Sequence, residues 1–303
     1  PTPDKTYKDT DGNYILQYSI APQSNIDVDI KGYILMNNSI YPYPLTYLIE
    51  NNPIWQINDT SLTRHINRYL QEYGVDIPDT FSDIDTLQSK EQRDLLYKGI
   101  YQYSIEHLQP NTLTIGSLTG AERLNGQEVL IKQDLTTSEG YTDALISMYR
   151  YYDIPARMVI GYVSEISNFT TEGIYHYWAE YFDIELNDWI PVDPFLEDYS
   201  NTTLWGRDMK DHIALIYRYS NPNTPKLPYF SSEDLNVKRT NDNISAIHDF
   251  QLDFIFEPYK ISYPYLKGSI GIVNTGNTIL DMFNISQTIP NLNEYVDYIE
   301  NNS

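Results

Sequence analysis

The sequence predicts an α+β fold, with helices packed on an antiparallel sheet, from three observations. Two amphipathic stretches at helical spacing come first, over residues 61–73 and 89–108. A third, more apolar stripe starts at Ser138, where Tyr141, Ala144, Leu145, Met148, Tyr149 and Tyr152 recur at three- and four-residue steps. Strand-like runs then follow one another over Arg157–Val163, Tyr175–Phe182 and Trp189–Asp193.

The first helix carries its apolar stripe on Leu62, Ile66, Tyr69, Leu70 and Tyr73, with Ser61 as a cap and Gly74 as a stop. In the second, Ser89 and Gln92 have capping-box spacing, and Leu95, Leu96, Ile100, Tyr103 and Ile105 supply the apolar positions. Residues 109–137 read as loop, with one short helical candidate near Ala121–Leu124. Pro155 ends the third helix, and Asp153 sits where the chain must turn out of it.

The flanks are β-rich. Tyr14–Ile20 and Ile26–Ile30 alternate with period two, and Asp11-Gly12 signals a turn. The string Asp9-x-Asp11-Gly12-Asn13 has the opening of a calcium loop but lacks the distal Glu, so it reads as a turn and no metal site is expected. Residues 220–245 are polar and rich in Pro, Asn and Ser. Beyond them Phe250–Phe256, Gly268–Val273 and Thr278–Ile285 alternate again, with a turn signal over Asn274–Asn277. The expected organisation is a β-rich segment over 1–55, a core domain over 56–222, a linker over 223–245 and a small β-sandwich-like module over 246–303.

Composition narrows the partners. The chain has 303 residues, 41% of them hydrophobic and 20% charged, which is enough for a globular core. Its formal net charge of −22 repels nucleic acid and anionic lipid, so neither is expected as a partner. There is no cysteine, hence no disulfide and no thiolate metal site or nucleophile. No apolar run is long enough to span a bilayer, so no membrane insertion is expected. The start at Pro-Thr-Pro suggests a processed or excised part of a longer chain. N-x-S/T sequons at Asn37, Asn58, Asn168, Asn201, Asn243, Asn284 and Asn301 agree with an extracellular or cell-surface location.

Three residues carry the chemistry. Ser138 opens an apolar helix, so it is either an N-cap or a hydroxyl held at the positive end of the helix dipole, where a developing oxyanion is best stabilised. His176, Trp178 and Glu180 share one strand face, and Trp189, Pro191 and Asp193 share another. If Asp183–Leu186 is a four-residue hairpin loop, Phe182 faces Asn187 and His176 lies opposite Asp193; a two-residue turn at Asn187-Asp188 would misalign them. A carboxylate on one imidazole nitrogen fixes the tautomer and leaves the other nitrogen as a base.

These blocks occur in order: Ser138-Glu-Gly-Tyr141, Arg150 with Ile154-Pro-Ala-Arg-Met-Val-Ile-Gly-Tyr162, His176-Tyr-Trp-Ala-Glu180, and Trp189-Ile-Pro-Val-Asp-Pro194. Together they resemble the core of the transglutaminase-like superfamily, which shares the papain-like cysteine protease fold. Asp208–Tyr219, with its His212-Ile-Ala-Leu run, resembles the closing strand. The resemblance is close over 138–194 and extends over about 60–220. It implies a central helix packed on an antiparallel sheet, no cofactor, a peptide or protein substrate, and a triad of Ser138, His176 and Asp193. Asp153 departs from the family's Gly, and Ser138 departs from its Cys.

The second departure is chemically large. A helix N-terminus and a neighbouring imidazolium preform a thiolate, whereas a serine hydroxyl must lose its proton during attack. The Ser form is expected to be at least ~10³-fold slower, or ~4 kcal/mol in barrier. Three functions follow: the Cys-to-Ser form of a thiol acyl-transfer enzyme, a natural pseudoenzyme that binds peptides or acts structurally, or a Ser-His-Asp hydrolase. Gln133, five residues before Ser138, stands where a side-chain oxyanion donor could. Trp178, Glu180 and Trp189 are expected to pack or pair beneath the site, and Arg150 and Arg157 to anchor helix and strand.

Overall fold

The computed structural model describes residues 3–23, 52–77, 87, 89–114, 123–163, 173–207, 209–225, 249–262 and 265–276. The chain divides into two compact units, Pro1–Val237 and Lys238–Ser303. The first runs β1 (Lys5–Lys8), β2 (Tyr14–Gln17), α1 (Thr60–Tyr73), α2 (Lys90–His107), β3 (Gln109–Pro110), α3 (Gly126–Lys132), β4 (Leu135–Thr136), α4 (Ser138–Tyr151), β5 (Ala156–Val163), β6 (Ile174–Asp183), β7 (Asp188–Val192), α5 (Pro194–Ser200) and β8 (His212–Arg218). In the second, β9 (Phe250–Ser262) and β10 (Tyr265–Asn274) form an antiparallel hairpin with a register shift between Leu266 and Gly268. The expected strands at Ile26–Ile30 and Thr278–Ile285 lie outside the described residues.

The architecture is α+β. A four-stranded antiparallel sheet in the order β7-β6-β5-β8 carries the core, and α4 packs on it against β5 and β6. Residues Gly140–Arg150 of α4 are buried without interruption, so the helix is enclosed on all sides. That is why its sequence is apolar beyond one stripe. Tyr177, Ala179 and Tyr181 of β6 and Met158 and Ile160 of β5 join Leu145, Met148 and Tyr149 in one core. Each such side chain contributes roughly 1.5–3 kcal/mol when fully buried.

Arginines tie the helix and strands to their neighbours, as the sequence suggests. Arg150 donates from Nε and Nη2 to the Ala156 carbonyl at 3.0 and 2.8 Å, donates to the Tyr219 carbonyl at 2.7 Å, and lies over the Trp55 ring at 4.3 Å. Arg157 pairs with its cross-strand partner Glu180, at 2.7 Å from Nε and 2.6 Å from Nη2. The turn out of α4 places Asp153 at φ 57°, a left-handed conformation that Asp tolerates. Further along β5, glycine is required at Gly161. A Cβ there would meet the Ile213 carbonyl oxygen at 2.1 Å and the Trp178 ring at 2.4 Å.

Several local expectations are corrected. Asp59 rather than Ser61 caps α1, accepting from the amides of Ser61 and Leu62; a carboxylate already sat two residues upstream. Ser89 caps α2, but the Gln92 side chain reaches outward, accepting from Asp76 N and donating to the Gly74 carbonyl. A short helix lies at Gly126–Lys132, where Asn125 and Glu128 form a complete capping box; of the expected helix at Ala121–Leu124, Arg123 and Leu124 are not helical and the rest lies outside the described residues. In the β6–β7 hairpin, Asp183 pairs with Asp188 and Phe182 with Trp189, not Asn187. The loop is residues 184–187: Asp183 Oδ1 accepts from the amides of Glu185 and Leu186, and Asn187 takes φ 52°. His176 is therefore two residues out of the expected register with Asp193. A two-residue slide equals the pleat period, so every side chain keeps its face.

The Asp9–Asn13 string is a turn that docks on β8. Asp9 Oδ1 accepts from Asp11 N and Asn13 N, closing the turn. Asn13 exchanges hydrogen bonds with the Tyr217 backbone at 2.8 and 2.7 Å. Asp11 accepts from Tyr219 N at 2.9 Å and Ser220 Oγ at 2.7 Å. Among the described residues no group of three or more His, Asp or Glu side chains is arranged to hold a metal ion. Replacing Asp11 with Ala orphans these buried donors and should cost about 1–3 kcal/mol. The check is the urea midpoint, which should fall with an unchanged m-value.

Candidate active site

Ser138 is the first residue of α4 and is half-buried. It is not the cap. Thr137 holds that position, its Oγ1 accepting from Gly140 N at 3.2 Å. The capping duty that would explain Ser138 as merely structural is thus performed by its neighbour. Ser138 itself lies where the helix dipole is positive.

A buried ion pair secures this end of the helix. Asp143 receives both Nε and Nη2 of Arg123 at 2.8 Å each, and the Trp55 indole N–H at 2.7 Å. Burial pushes the Asp143 carboxyl up from its ordinary value, against the pull of Arg123 and Trp55. Glu139, directly after Ser138, lies 3.3 Å from Arg123 and is likewise pushed up by burial. Gln133 closes α3 in the left-handed conformation at φ 52° and is exposed.

His176 and Asp193 come together directly. Nε2 of His176 lies 2.7 Å from Asp193 Oδ2, with both side chains 1% exposed. By strand alternation His176, Trp178 and Glu180 line the face opposite Tyr177, Ala179 and Tyr181, which meet α4. Phe195 of α5 spans the two layers. Its ring lies 5.3 Å from Tyr141 of α4 and 5.5 Å from His176.

Asp193 does more than face one imidazole. It is the N-cap of α5, its Oδ1 accepting from Leu196 N at 2.9 Å. Its backbone carbonyl accepts from the Tyr101 hydroxyl, which also donates to Glu197 at 2.7 Å. Its Oδ2 also lies 3.1 Å from His212 Nε2. Burial opposes ionisation of Asp193, but the charge and hydrogen bonds of His176 and His212 outweigh it and hold the carboxyl well below the usual range.

His212 and Asp211 were missed as site residues by sequence reasoning. The sequence marks His212 only as the start of a closing strand, and it does open β8. The available signal was an Asp-His pair entering the strand that follows the His176–Asp193 segment in sequence. Spacing alone does not reveal that β8 joins the sheet on the far side of β5.

Residues 99–194 match the family model described as the transglutaminase-like superfamily, so this segment is a transglutaminase-like core. Solved structures with similarity include a candidate cysteine protease from Cytophaga hutchinsonii, at 14% identity over 56% of this chain and 51% of that one, with a TM-score of 0.30. Two others are of the periplasmic domain of TgpA from Pseudomonas aeruginosa. The one bound to ethylmercury has 19% identity over 46% of each chain and a TM-score of 0.30. The other has 20% identity over 45% and 51%, with a TM-score of 0.29. The chain spans about half the length of each of these structures. No curated protein matches the sequence.

Exchanging Asp193 for Asn keeps an acceptor for the α5 cap but removes the charge between two imidazoles. It should cost roughly 3 kcal/mol at pH 7. Because the folded-state carboxyl titrates below the unfolded one, the stabilisation is fully present above about pH 4 and is lost as pH falls below that. Urea titrations at stepped pH should show the gap between the two proteins narrowing from pH 4 downward.

Proposed function

We propose that this domain is an acyl-transfer module acting on peptide or side-chain amides outside the cytoplasm, at the cell surface or beyond it. Serine stands at the nucleophile position as the Cys-to-Ser form of that machinery. The observation that carries this reading is the buried 2.7 Å contact between His176 and Asp193, on the strand pair that follows a helix opened by Ser138. The family match over residues 99–194 spans all three positions.

In this reading Asp193 occupies Nε2 of His176, so Nδ1 is the nitrogen that serves position 138. The nucleophile attacks the amide carbonyl, and its proton passes to Nδ1. Negative charge gathers on the carbonyl oxygen beside the first turn of α4, where the helix dipole favours it. The C–N bond breaks, the departing amine takes the proton from His176, and an acyl-enzyme remains. Water or a second amine then attacks that ester or thioester. With sulfur at position 138 the helix end and imidazolium preform the anion; with oxygen the proton must leave during attack, which is why the Ser form is slow.

A second reading follows from the serine itself: a natural pseudoenzyme that keeps the cleft to bind peptides or to serve as a structural module. Changing Ser138 to Cys separates the two. The first reading expects iodoacetamide to alkylate the new thiol at pH 7 faster than it does glutathione, with the advantage lost on adding His176→Ala. It also expects amine release from a peptide pool at least ~10³-fold above the Ser form. Ordinary thiol reactivity with no amide turnover would leave the binding role.

A further inference from the structure

His212 belongs to no triad, yet it is 2% exposed and lies between two carboxylates. Its Nε2 lies 3.1 Å from Asp193 Oδ2, and its Nδ1 lies 2.9 Å from Asp211 Oδ1. A carboxylate only accepts hydrogen bonds, and a neutral imidazole carries a single N–H. A neutral His212 would therefore set a nitrogen lone pair against one carboxylate. The doubly protonated ring satisfies both. Burial disfavours that charge, but Asp193 and Asp211 together raise the imidazole above its ordinary value. The Asp211 carboxyl is lowered despite burial, with His212 and Arg207 as the main causes; Arg207 lies 3.3 Å from its Oδ2. The His212 ring stands edge-on to Trp178 at 5.1 Å, which fixes its plane.

We propose that His212 is a permanent imidazolium, clamped by Asp193 and Asp211, that positions the Asp193 carboxylate and limits how strongly that carboxylate can draw a proton onto His176. The chain is His176–Asp193–His212–Asp211, with one carboxylate oxygen shared between two imidazole N–H groups. Positioning follows from the shared oxygen. With Oδ1 held by the α5 cap and Oδ2 by two rings, the carboxylate cannot rotate. Charge tuning follows from distance. The two imidazole centroids are 6.4 Å apart, so a fixed cation on His212 opposes protonation of His176. At an effective dielectric of ~20 that repulsion has a ceiling of ~2 pH units. Other groups facing the pair are the Tyr101 hydroxyl on the Asp193 carbonyl, Glu197 on that hydroxyl, and Arg207 behind Asp211.

This inference rests on His176 being the base of the proposed site, and the test keeps the two apart. Nitrogen-15 NMR of histidine-labelled protein, in the Ser138 chain as it stands, reads each ring without turnover. Both His212 nitrogens should be protonated at pH 8. In His212→Gln the titration midpoint of His176 should rise by about 1 unit, because the opposing cation is gone. Should that variant fail to fold, Asp211→Asn serves: it keeps His212 in place, removes one of its two carboxylates, and should lower the midpoint of His212. A neutral His212 at pH 7, an unmoved His176 midpoint in folded His212→Gln, or an unmoved His212 midpoint in folded Asp211→Asn overturns the proposal. A shifted midpoint together with an inert Ser138→Cys protein supports the coupling and sinks only acyl transfer. An active Ser138→Cys protein with no shift sinks only the coupling.

Discussion

The buried carboxylate of Asp193 is the constraint on which the site depends. It lies at the junction of β7 and α5 and meets three elements at once: the α5 amide of Leu196, His176 on β6 and His212 on β8. A buried charge is tolerable only when its lone pairs are met, and these partners meet them. The same three contacts join the two sides of the sheet, since β6 and β8 are separated by β5. Stability and the geometry of the candidate site are therefore coupled. The group that orients the imidazole also starts α5, and α5 delivers Phe195 to the space between His176 and α4.

The central helix shows the same economy in its polar residues. Its first turn is capped by Thr137, and Asp143, one turn further on, is neutralised by Arg123 and hydrogen-bonded by the Trp55 indole. At its last turn Arg150 satisfies the carbonyls of Ala156 and Tyr219. An enclosed helix cannot leave polar groups to water, so each must find a partner within the protein. These partners come from segments distant in sequence, and they hold the helix, and Ser138 at its tip, in one place relative to the sheet.

Much of this was legible beforehand. The long elements with strong periodicity appear where the pattern puts them: α1 with its Gly74 stop, α2, α4, and the three strands that follow α4. What slipped was local and competitive. Asp59 outcompeted Ser61 as a cap, Asn125 with Glu128 set the start of α3 at Gly126, and Asp183 extended β6 by one residue and shifted the hairpin by two. In each case a short side chain with its own hydrogen bond to the backbone decided between positions of similar propensity. The pairing of His176 with Asp193 survived the hairpin error because pleat parity is insensitive to a two-residue slide.

The sequence by itself determined the elements, their order and three candidate residues, because apolar period and turn chemistry are local properties of the chain. Only the tertiary structure decided that Ser138 is not the cap, and that Asp193 is shared between His176 and a second imidazole backed by Asp211. Those facts depend on which strands become neighbours across the sheet. Neighbourhood across a sheet is set by the packing of the whole core, and no spacing along the chain encodes it.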